Sequence, residues 1–335
     1  MRLSVLDQSV ARAGRPQAES IRETIALAQY CETLGYHRFW VSEHHNHDSI
    51  TGTAPEIAMA AIAATTERIR IGSAGVMLPH YAALKVAEQF RVLDAIAPGR
   101  IDLGIGRAPG SDGRTAYALN PAALQGADKF PEQIRDLLAW VSGDPLPDGH
   151  TFAGIRAFPE GETTPVTWML GTSDYGAQVA AHFGIPYCFA HFITQGEGCG
   201  RALELYRERY QPSARHPEPQ TTVCVWALTA DTEEEAELQF MSRARTRLAR
   251  DRGVLTPIEP AESAAAHVYS DAERARIAEM RDDAFVGTPG QVGARLRDLA
   301  AELQLEEIVV LTWAYDLAAR KRSYELFAQE FDIAG

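Results

Sequence analysis

The 335-residue sequence has few cysteines and no long apolar run. Its cysteines, Cys31, Cys188, Cys199 and Cys224, form no C-x-x-C pair, which excludes zinc-ribbon and thioredoxin-type motifs. The most apolar stretch, residues 56–64, is too short to span a bilayer, and the first residues lack the apolar segment of a signal peptide. We therefore expect no membrane partner and a cytoplasmic location with reduced thiols.

Positive charge is also scarce. Lysine and arginine total 32 against 45 aspartates and glutamates, which gives a formal net charge of −13. Such a surface repels phosphate backbones, so we expect no nucleic-acid partner. The hydrophobic share of 46% and the charged share of 23% are ordinary for a globular protein and exclude global disorder.

A strand–helix pattern repeats along the chain. Strand-like runs begin near residues 3, 39, 69 and 100, and this spacing is typical of βα units. The runs are continuously apolar, as expected for parallel strands buried on both faces. Eight such units predict an α/β fold, a (β/α)8 TIM barrel in one domain over 1–335, with a doubly wound open sheet as the alternative. The predicted strands are 3–7, 39–43, 69–78, 100–106, 165–170, 186–191, 222–228 and 307–313, and the helices lie near 17–34, 54–66, 82–96, 122–142, 174–183, 197–210, 231–250, 289–303 and 316–331.

Two segments are insertions that a minimal barrel does not need. Residues 142–165 are rich in proline and glycine, and we expect a short hairpin there. Residues 251–288 separate the last two units, with a further helix predicted near 271–281. Long insertions in barrels usually form surface loops or lids over the site.

Candidate site residues follow from the barrel, because its active sites lie at the carboxyl ends of the strands. The second such end, EHHNHD, holds three histidines and two carboxylates, and a metal-dependent hydrolase using His45 and His47 is one possible interpretation. Neighbouring strand residues point to opposite faces, so the favoured interpretation has His44 facing inward and His45 facing away. The strand ends are residues 7–8, 43–48, 73–75, 104–107, 171–173 and 190–192.

The segment GIGRAPG, residues 104–110, does not complete a dinucleotide fingerprint, because Pro109 replaces the third glycine. We interpret it as a turn that directs Arg107 across the barrel mouth, where a guanidinium can bind a phosphate. The alternative is a structural ion pair of Arg107 with Asp102 or Asp112.

Two further segments suggest where the remaining parts of a ligand would bind. In residues 171–184 two hydroxyl residues precede an amphipathic helix, whose first N–H groups favour an anion, although Ser173 or Asp174 could simply cap the helix. Small residues at 73–75 would let a flat ring approach the backbone. A phosphate near Arg107, a ring near 74–75 and His44 beside the ring together match flavin mononucleotide, FMN.

The sequence resembles the bacterial luciferase-like flavin monooxygenases, in particular their single-subunit bacterial branch. The matching stretches are LSVLDQS, FWVSEHHN, IRIGSAGVMLPHYAALKVAEQF, APGRIDLGIGRAPG, GTSDYGAQVAAHFGIPYCFAHF, VGTP and AYDLAARKRSYELFA. They are spread from end to end, so the resemblance covers essentially the whole chain.

The resemblance implies a (β/α)8 barrel that binds reduced FMN and uses O2 to oxidise an organic substrate such as an aldehyde. It implies that His44 is the catalytic histidine beside the flavin and that Ala74–Gly75 is a cis peptide against the ring. It also implies a homodimer, and we expect a separate NAD(P)H-dependent flavin reductase to supply the reduced FMN. The alternatives are a deazaflavin (F420)-dependent dehydrogenase on the same barrel and a flavin-binding protein without catalysis. The residues assigned to cofactor binding are Glu43, Ala74, Gly75, Arg107, Thr172, Ser173 and Tyr175.

Overall fold

A closed parallel barrel forms the centre of the chain. The computed structural model describes residues 1–107, 112–122 and 129–333. The strands are β1 Arg2–Asp7, β2 Arg38–Val41, β3 Arg70–Ser73, β4 Val76–Met77, β5 Ile101–Gly106, β6 Val166–Gly171, β7 Tyr187–Phe189, β8 Thr221–Thr229, β9 Phe285–Gly287 and β10 Glu307–Leu311. The barrel strands follow the order β1-β2-β3-β5-β6-β7-β8-β10, and β10 pairs with both β8 and β1, which closes the sheet.

Helices follow the barrel strands and pack around them. An apolar layer between strands and helices includes Leu3 and Val5 of β1, whereas the alternate residue Leu6 packs with Trp40 and Trp168 in a second apolar cluster. This alternation confirms that both faces of the strands are buried. The helices are α1 Gln17–Thr33, α2 Pro55–Ala63, α3 Ala83–Ile96, α4 Gly113–Leu119, α5 Phe130–Ser142, α6 Asp174–Phe183, α7 His191–Thr194, α8 Cys199–Arg209, α9 Glu233–Asp251, α10 Ala261–Ala265, α11 Asp271–Asp283, α12 Pro289–Glu302 and α13 Leu317–Glu330.

The amino ends of four barrel strands, β2, β3, β5 and β10, are joined by buried charges. Arg38 donates to Glu307 at 2.6 Å and to Asp102 at 2.7 Å, and Arg70 donates to Asp102 at 2.6 Å. Trp40 Nε1 also donates to Asp102 at 3.0 Å. Burial alone would raise the pKa of Asp102, but the charges of Arg38 and Arg70 lower it below its usual value. The network therefore links these strands at the amino end of the barrel.

The predicted barrel is confirmed, and each of its eight strands and nine helical patterns has a counterpart. The predicted strand over 69–78 is divided into β3 and β4 at Ala74–Gly75, where the peptide bond is cis. The short strand β9 was not predicted; it pairs with the carboxyl end of β8. The predicted helix over 122–142 includes residues 123–128, and the predicted turn of 104–110 includes residues 108–110. Those parts lie outside the described residues.

The hairpin predicted within 142–165 is wrong, because residues 143–165 form no strand. Local turns use the backbone instead, as His150 N donates to Pro147 O and Ala153 N donates to His150 O. The guanidinium of Arg91 in α3 holds the end of the segment by donating to the carbonyls of Pro159 and Thr163. In the other insertion, the helix predicted near 271–281 is confirmed as α11.

The described residues include no helix that is both long and apolar enough to cross a membrane. All four cysteines are buried free thiols.

Candidate active site

One cavity of about 660 Å³ lies at the carboxyl ends of the barrel strands. Its size falls within the range of roughly 300–1,000 Å³ that is usual for small-molecule sites. All eight residues that the sequence analysis assigned to the site line this cavity: Glu43, His44, Ala74, Gly75, Arg107, Thr172, Ser173 and Tyr175.

The segment after β2 places its side chains in two alternating pairs. Glu43 and His45 form one pair, with His45 Nε2 2.7 Å from Glu43 Oε1, and Ser42 and His44 form the other, with Ser42 Oγ 3.2 Å from His44 Nδ1. The expectation that His45 would point away from the site is wrong, because both histidines line the cavity. The chain has left the regular strand at Val41, so strict alternation between inside and outside no longer applies.

Glu43 is a buried anchor within the cavity wall. Its carboxylate accepts hydrogen bonds from Tyr81 Oη at 2.6 Å and from Met77 N at 3.1 Å, in addition to the contact with His45. These contacts tie β4 to the histidine segment. Glu43 therefore holds His45 in position, and its assignment to direct cofactor contact stays a prediction.

His44 is held as a neutral imidazole. Burial, followed by the positive fields of His47, Arg250 and His45, lowers its pKa to about 3. Its backbone N–H donates to Gly52 O at 2.9 Å, which fixes the residue at the cavity wall. At neutral pH His44 can therefore hydrogen-bond a ligand, but it is a weak proton acceptor and carries no imidazolium proton to donate.

The Ala74–Gly75 peptide bond lies at the carboxyl end of β3. A Cβ on Gly75 would lie 2.6 Å from Leu170 Cδ1 and 2.8 Å from Gly104 O, so the glycine is required by packing within the barrel. The sequence analysis selected this position for closeness to a ligand ring, and the structure supplies a second reason for it. Ala74 and Gly75 leave this part of the cavity wall without a large side chain.

Arg107 follows β5 and stacks on the aromatic ring of Tyr175, with its guanidinium carbon 4.2 Å from the ring centroid. The two carboxylates considered as alternative partners are engaged elsewhere, because Asp102 binds Arg38 and Arg70 and Asp112 caps α4. Within the described part of the chain, Arg107 forms no ion pair. Its charge is therefore available to an anion in the cavity.

The turn before α6 contributes backbone and hydroxyl groups to the same side of the cavity. Ser173 occupies the N-cap position of α6, but its side chain makes no capping hydrogen bond. Asp174 pairs with Arg201 at 2.7 Å. The simple capping role considered for Ser173 is thus not observed, and Thr172 and Ser173 line the same cavity as Arg107.

A metal site receives no support from the described residues, in which no three His, Cys, Asp or Glu side chains are grouped to hold an ion. The ring of His45 packs edge-on against His80, whereas that of His47 packs against His44. His45 and His47 therefore belong to different contacts and do not converge.

The sequence analysis missed the contribution of α9 to the cavity. Arg243, Arg247 and Arg250 line it, together with the indoles of Trp226 and Trp313. The helix itself was predicted, and the signal that could have found these residues is the spacing R-x-x-x-R-x-x-R, which places three arginines on one helical face.

Comparisons with known proteins give a consistent result. The family model described as luciferase-like monooxygenase matches residues 1–306. The chain is 44% identical to the uncharacterized protein YwcH of Bacillus subtilis (strain 168), covering 98% of each protein. It is 36% identical to the N-acetyl-S-alkylcysteine monooxygenase of the same organism, covering 98% of this chain and 97% of that protein.

Solved structures share the fold. Apo-MsnO8 superposes with a TM-score of 0.90 at 33% identity and covers 99% of this chain and 98% of that chain. More distant structures include the oxygenating constituent of 3,6-diketocamphane monooxygenase in complex with FMN, at 20% identity and a TM-score of 0.72. An F420-dependent secondary alcohol dehydrogenase has a TM-score of 0.66 at 14% identity. The barrel alone therefore does not distinguish FMN from F420.

Proposed function

The chain belongs to the luciferase-like monooxygenase family, and from this premise we propose that it uses reduced FMN and O2 to oxidise a small organic substrate. The observation that carries the proposal is one cavity that joins an anion-binding end to a wall free of large side chains. Arg107 and Ser173 form the anion-binding end, and Ala74 and Gly75 form the wall without large side chains. A planar ring with a phosphate tail matches both.

The phosphate of FMN fits the residues at the first end. Arg107 has no carboxylate partner in the described residues, and its stacking on Tyr175 orients the planar guanidinium. The uncapped start of α6 adds N–H groups and the Ser173 hydroxyl, which can donate hydrogen bonds to an anion. We assign the phosphate to these groups and to Thr172.

The ring would lie against Ala74–Gly75 with His44 beside it. When bound, reduced FMN would supply the electrons that activate O2. His44, neutral at physiological pH, would act as a hydrogen-bonding group or as a base toward the substrate. Glu43 would act indirectly, by fixing His45 and β4 next to the ring.

The protein must also keep water away from the reacting atoms. Leu255, in the segment between α9 and α10, and Trp313, after β10, both line the cavity. We assign the insertion 251–288 the role of a cover over the bound cofactor and substrate.

The substrate and partners belong to the same proposal. The relative named N-acetyl-S-alkylcysteine monooxygenase is named for a thioether, so we place organic sulfur compounds beside aldehydes as candidate substrates. A separate NAD(P)H-dependent flavin reductase would supply reduced FMN, and two copies of the chain would form a homodimer.

The first experiment measures FMN binding by the quenching of flavin fluorescence. Arg107→Ala should weaken binding by about 1.5–3 kcal/mol, the value of a charge-assisted hydrogen bond. Arg114→Ala is the matched control, because Arg114 is exposed in α4 and does not line the cavity, and it should leave affinity within about twofold. Unchanged affinity of Arg107→Ala would remove this residue from the phosphate site.

The second experiment follows oxygen consumption after mixing the protein with pre-reduced FMN and a panel of aldehydes, amines and thioethers. We expect at least one compound to be oxidised with O2 uptake. Reduction of F420 by an alcohol, without O2 uptake, would favour the dehydrogenase instead, and FMN binding without substrate-dependent O2 uptake would indicate a protein that only binds flavin.

A further inference from the structure

Helix α9 brings a row of positive charge to the cavity. Arg243, Arg247 and Arg250 are spaced by four and three residues, which places them on one face, and all three line the cavity. Like charges at these spacings repel one another within a helix. A negatively charged group beside these three arginines would reduce their mutual repulsion.

The carboxylates near α9 do not neutralise the row. Asp251 lies 3.5 Å from Arg247, but it is shared with Arg276 at 3.1 Å. Arg243 lies over the indole of Trp226, with its guanidinium carbon 4.1 Å from the ring centroid. Among residues 1–107, 112–122 and 129–333, neither Arg243 nor Arg250 has an ion-pair partner.

The carboxylates of the cavity wall are engaged elsewhere. Among the described lining residues these are Glu43 and Asp112. Glu43 accepts from Tyr81, Met77 and His45, and Asp112 accepts from the backbone of α4. In a protein with a net charge of −13, this cavity is therefore electropositive.

The electrostatics of Arg243 agree with this geometry. Burial, and then repulsion by Arg247 and Arg250, lowers the pKa of Arg243 to about 9. The residue is still charged at neutral pH, but its charged form is less favourable than that of an exposed arginine. An anion bound between these arginines would remove that penalty.

We propose that Arg243, Arg247 and Arg250 form a second anion subsite, which binds a carboxylate of the organic substrate. The substrate is then an anionic molecule whose apolar body packs on Trp226 and Leu255, both in the cavity wall. This inference rests on the proposed function, since it names the class of substrate for the same cavity.

The phosphate of FMN is the other anion that these arginines could bind, and the barrel order argues against it. Arg107 follows β5 and stacks on Tyr175 of α6, which follows β6. Helix α9 follows β8, and β7 lies between β6 and β8 in the barrel. The two sets of arginines therefore approach the cavity from different sides of the barrel mouth.

The test compares N-acetyl-S-benzylcysteine with its neutral methyl ester, each titrated by calorimetry into the FMN-loaded protein. We expect the carboxylate to bind about tenfold more tightly than the ester, the scale of one charge-assisted contact. The double variant Arg243→Met/Arg250→Met should bind the two probes equally. Arg245→Met is the matched control on the same helix, because Arg245 pairs with Glu259 at 3.3 Å and does not line the cavity, and it should keep the preference.

FMN affinity is measured on the same variants by fluorescence quenching. It shows whether the arginines bind the substrate carboxylate or the FMN phosphate, and it reports that the variants are folded. We expect it to stay within about threefold in all of them. Equal binding of acid and ester by the unmodified protein, or no binding of the acid at millimolar concentration, would overturn the subsite. A double variant that loses FMN affinity as Arg107→Ala does would assign the arginines to the phosphate instead. If FMN itself does not bind, the proposed function fails, and the acid–ester comparison on the cofactor-free protein still decides the subsite.

Discussion

At the scale of single residues, His44 shows how the surroundings of a side chain decide its chemistry. A histidine with an ordinary pKa of ~6.5 can act as an acid or a base at neutral pH. Burial beside His47, Arg250 and His45 leaves His44 neutral instead. In the proposed reaction it therefore serves as a hydrogen-bonding group, or as a base once a bound anion near Arg250 raises its pKa.

Replacing His44 by alanine should lower substrate oxidation by roughly 10²–10⁴-fold, the usual contribution of an acid–base residue. FMN affinity should stay within about tenfold, because the proposed phosphate contacts are at Arg107. Single-turnover oxidation with pre-reduced FMN, monitored through product and released hydrogen peroxide, measures the effect. In the companion variant His45→Ala, the Glu43 contact is lost and we expect a smaller loss of rate. Normal turnover by His44→Ala would show that the histidine has no catalytic role.

The lowered pKa of His44 also predicts how stability depends on pH. Between about pH 6.5 and its folded-state value of about 3, the unfolded chain binds a proton that the folded protein does not. The contribution of His44 to stability is therefore complete above pH 6.5 and is lost as the pH falls below it. Urea unfolding at pH 7.5 and pH 5 should show a decrease that is about 1–2 kcal/mol smaller in His44→Gln than in the unmodified protein. An equal decrease in both proteins would contradict the lowered pKa.

At the scale of elements, the pairing of β3 with β5 depends on a glycine. A Cβ on Gly104 would lie 2.1 Å from the carbonyl oxygen of Ser73 in the neighbouring strand, whereas a Cβ on Gly106, in the same strand, would meet nothing within 4 Å. The close approach also lets Ser73 Oγ donate to Gly104 O at 2.8 Å.

We therefore expect Gly104→Ala to reduce the free energy of unfolding by about 1–3 kcal/mol or more, because backbone atoms must separate to admit the methyl group. Gly106→Ala is the control and should change it by less than about 0.5 kcal/mol. Thermal and urea unfolding of the two variants measure the difference. Equal stability of both would show that the strands adjust without cost.

At the scale of the whole molecule, the buried charges at the amino ends of the strands connect parts of the chain that are far apart in sequence. The side chains of Arg38, Asp102 and Glu307 are 7%, 0% and 4% exposed. They belong to β2, β5 and β10, and β10 pairs with β1 to close the barrel. If one of these three side chains is replaced by an uncharged one, the other two keep their charges in a place that water hardly reaches.

Arg38→Met should accordingly reduce the free energy of unfolding by about 3–5 kcal/mol, as expected when one member of a buried ionic network is removed. Arg2→Met removes a surface pair, with Glu306 at 3.2 Å, and should cost about 0–1 kcal/mol. Urea unfolding compares them directly. A small effect for Arg38→Met would mean that Arg70 is sufficient for Asp102 and that Ser4 is sufficient for Glu307.

Much of the fold and of the site follows from local signals in the sequence. Apolar runs at a regular spacing predicted the barrel, since each βα unit is specified by its own hydrophobic pattern. The rule that barrel sites lie at strand ends then selected His44, Arg107 and Ser173, and these residues do line one cavity. Both kinds of inference use information held within about 40 residues of chain, which is the length of one unit.

Other features were decided only by tertiary structure. The sequence cannot show that Glu43 is held by Tyr81 and His45 or that Arg107 is left without a described carboxylate, because these depend on which side chains meet across the barrel. The orientation of α9 is of the same kind: its arginine spacing is local, but only the folded chain directs that face into the cavity. Charges act over distances of several ångströms whatever their separation in sequence, so the electrostatics of the site emerge only when the barrel has closed.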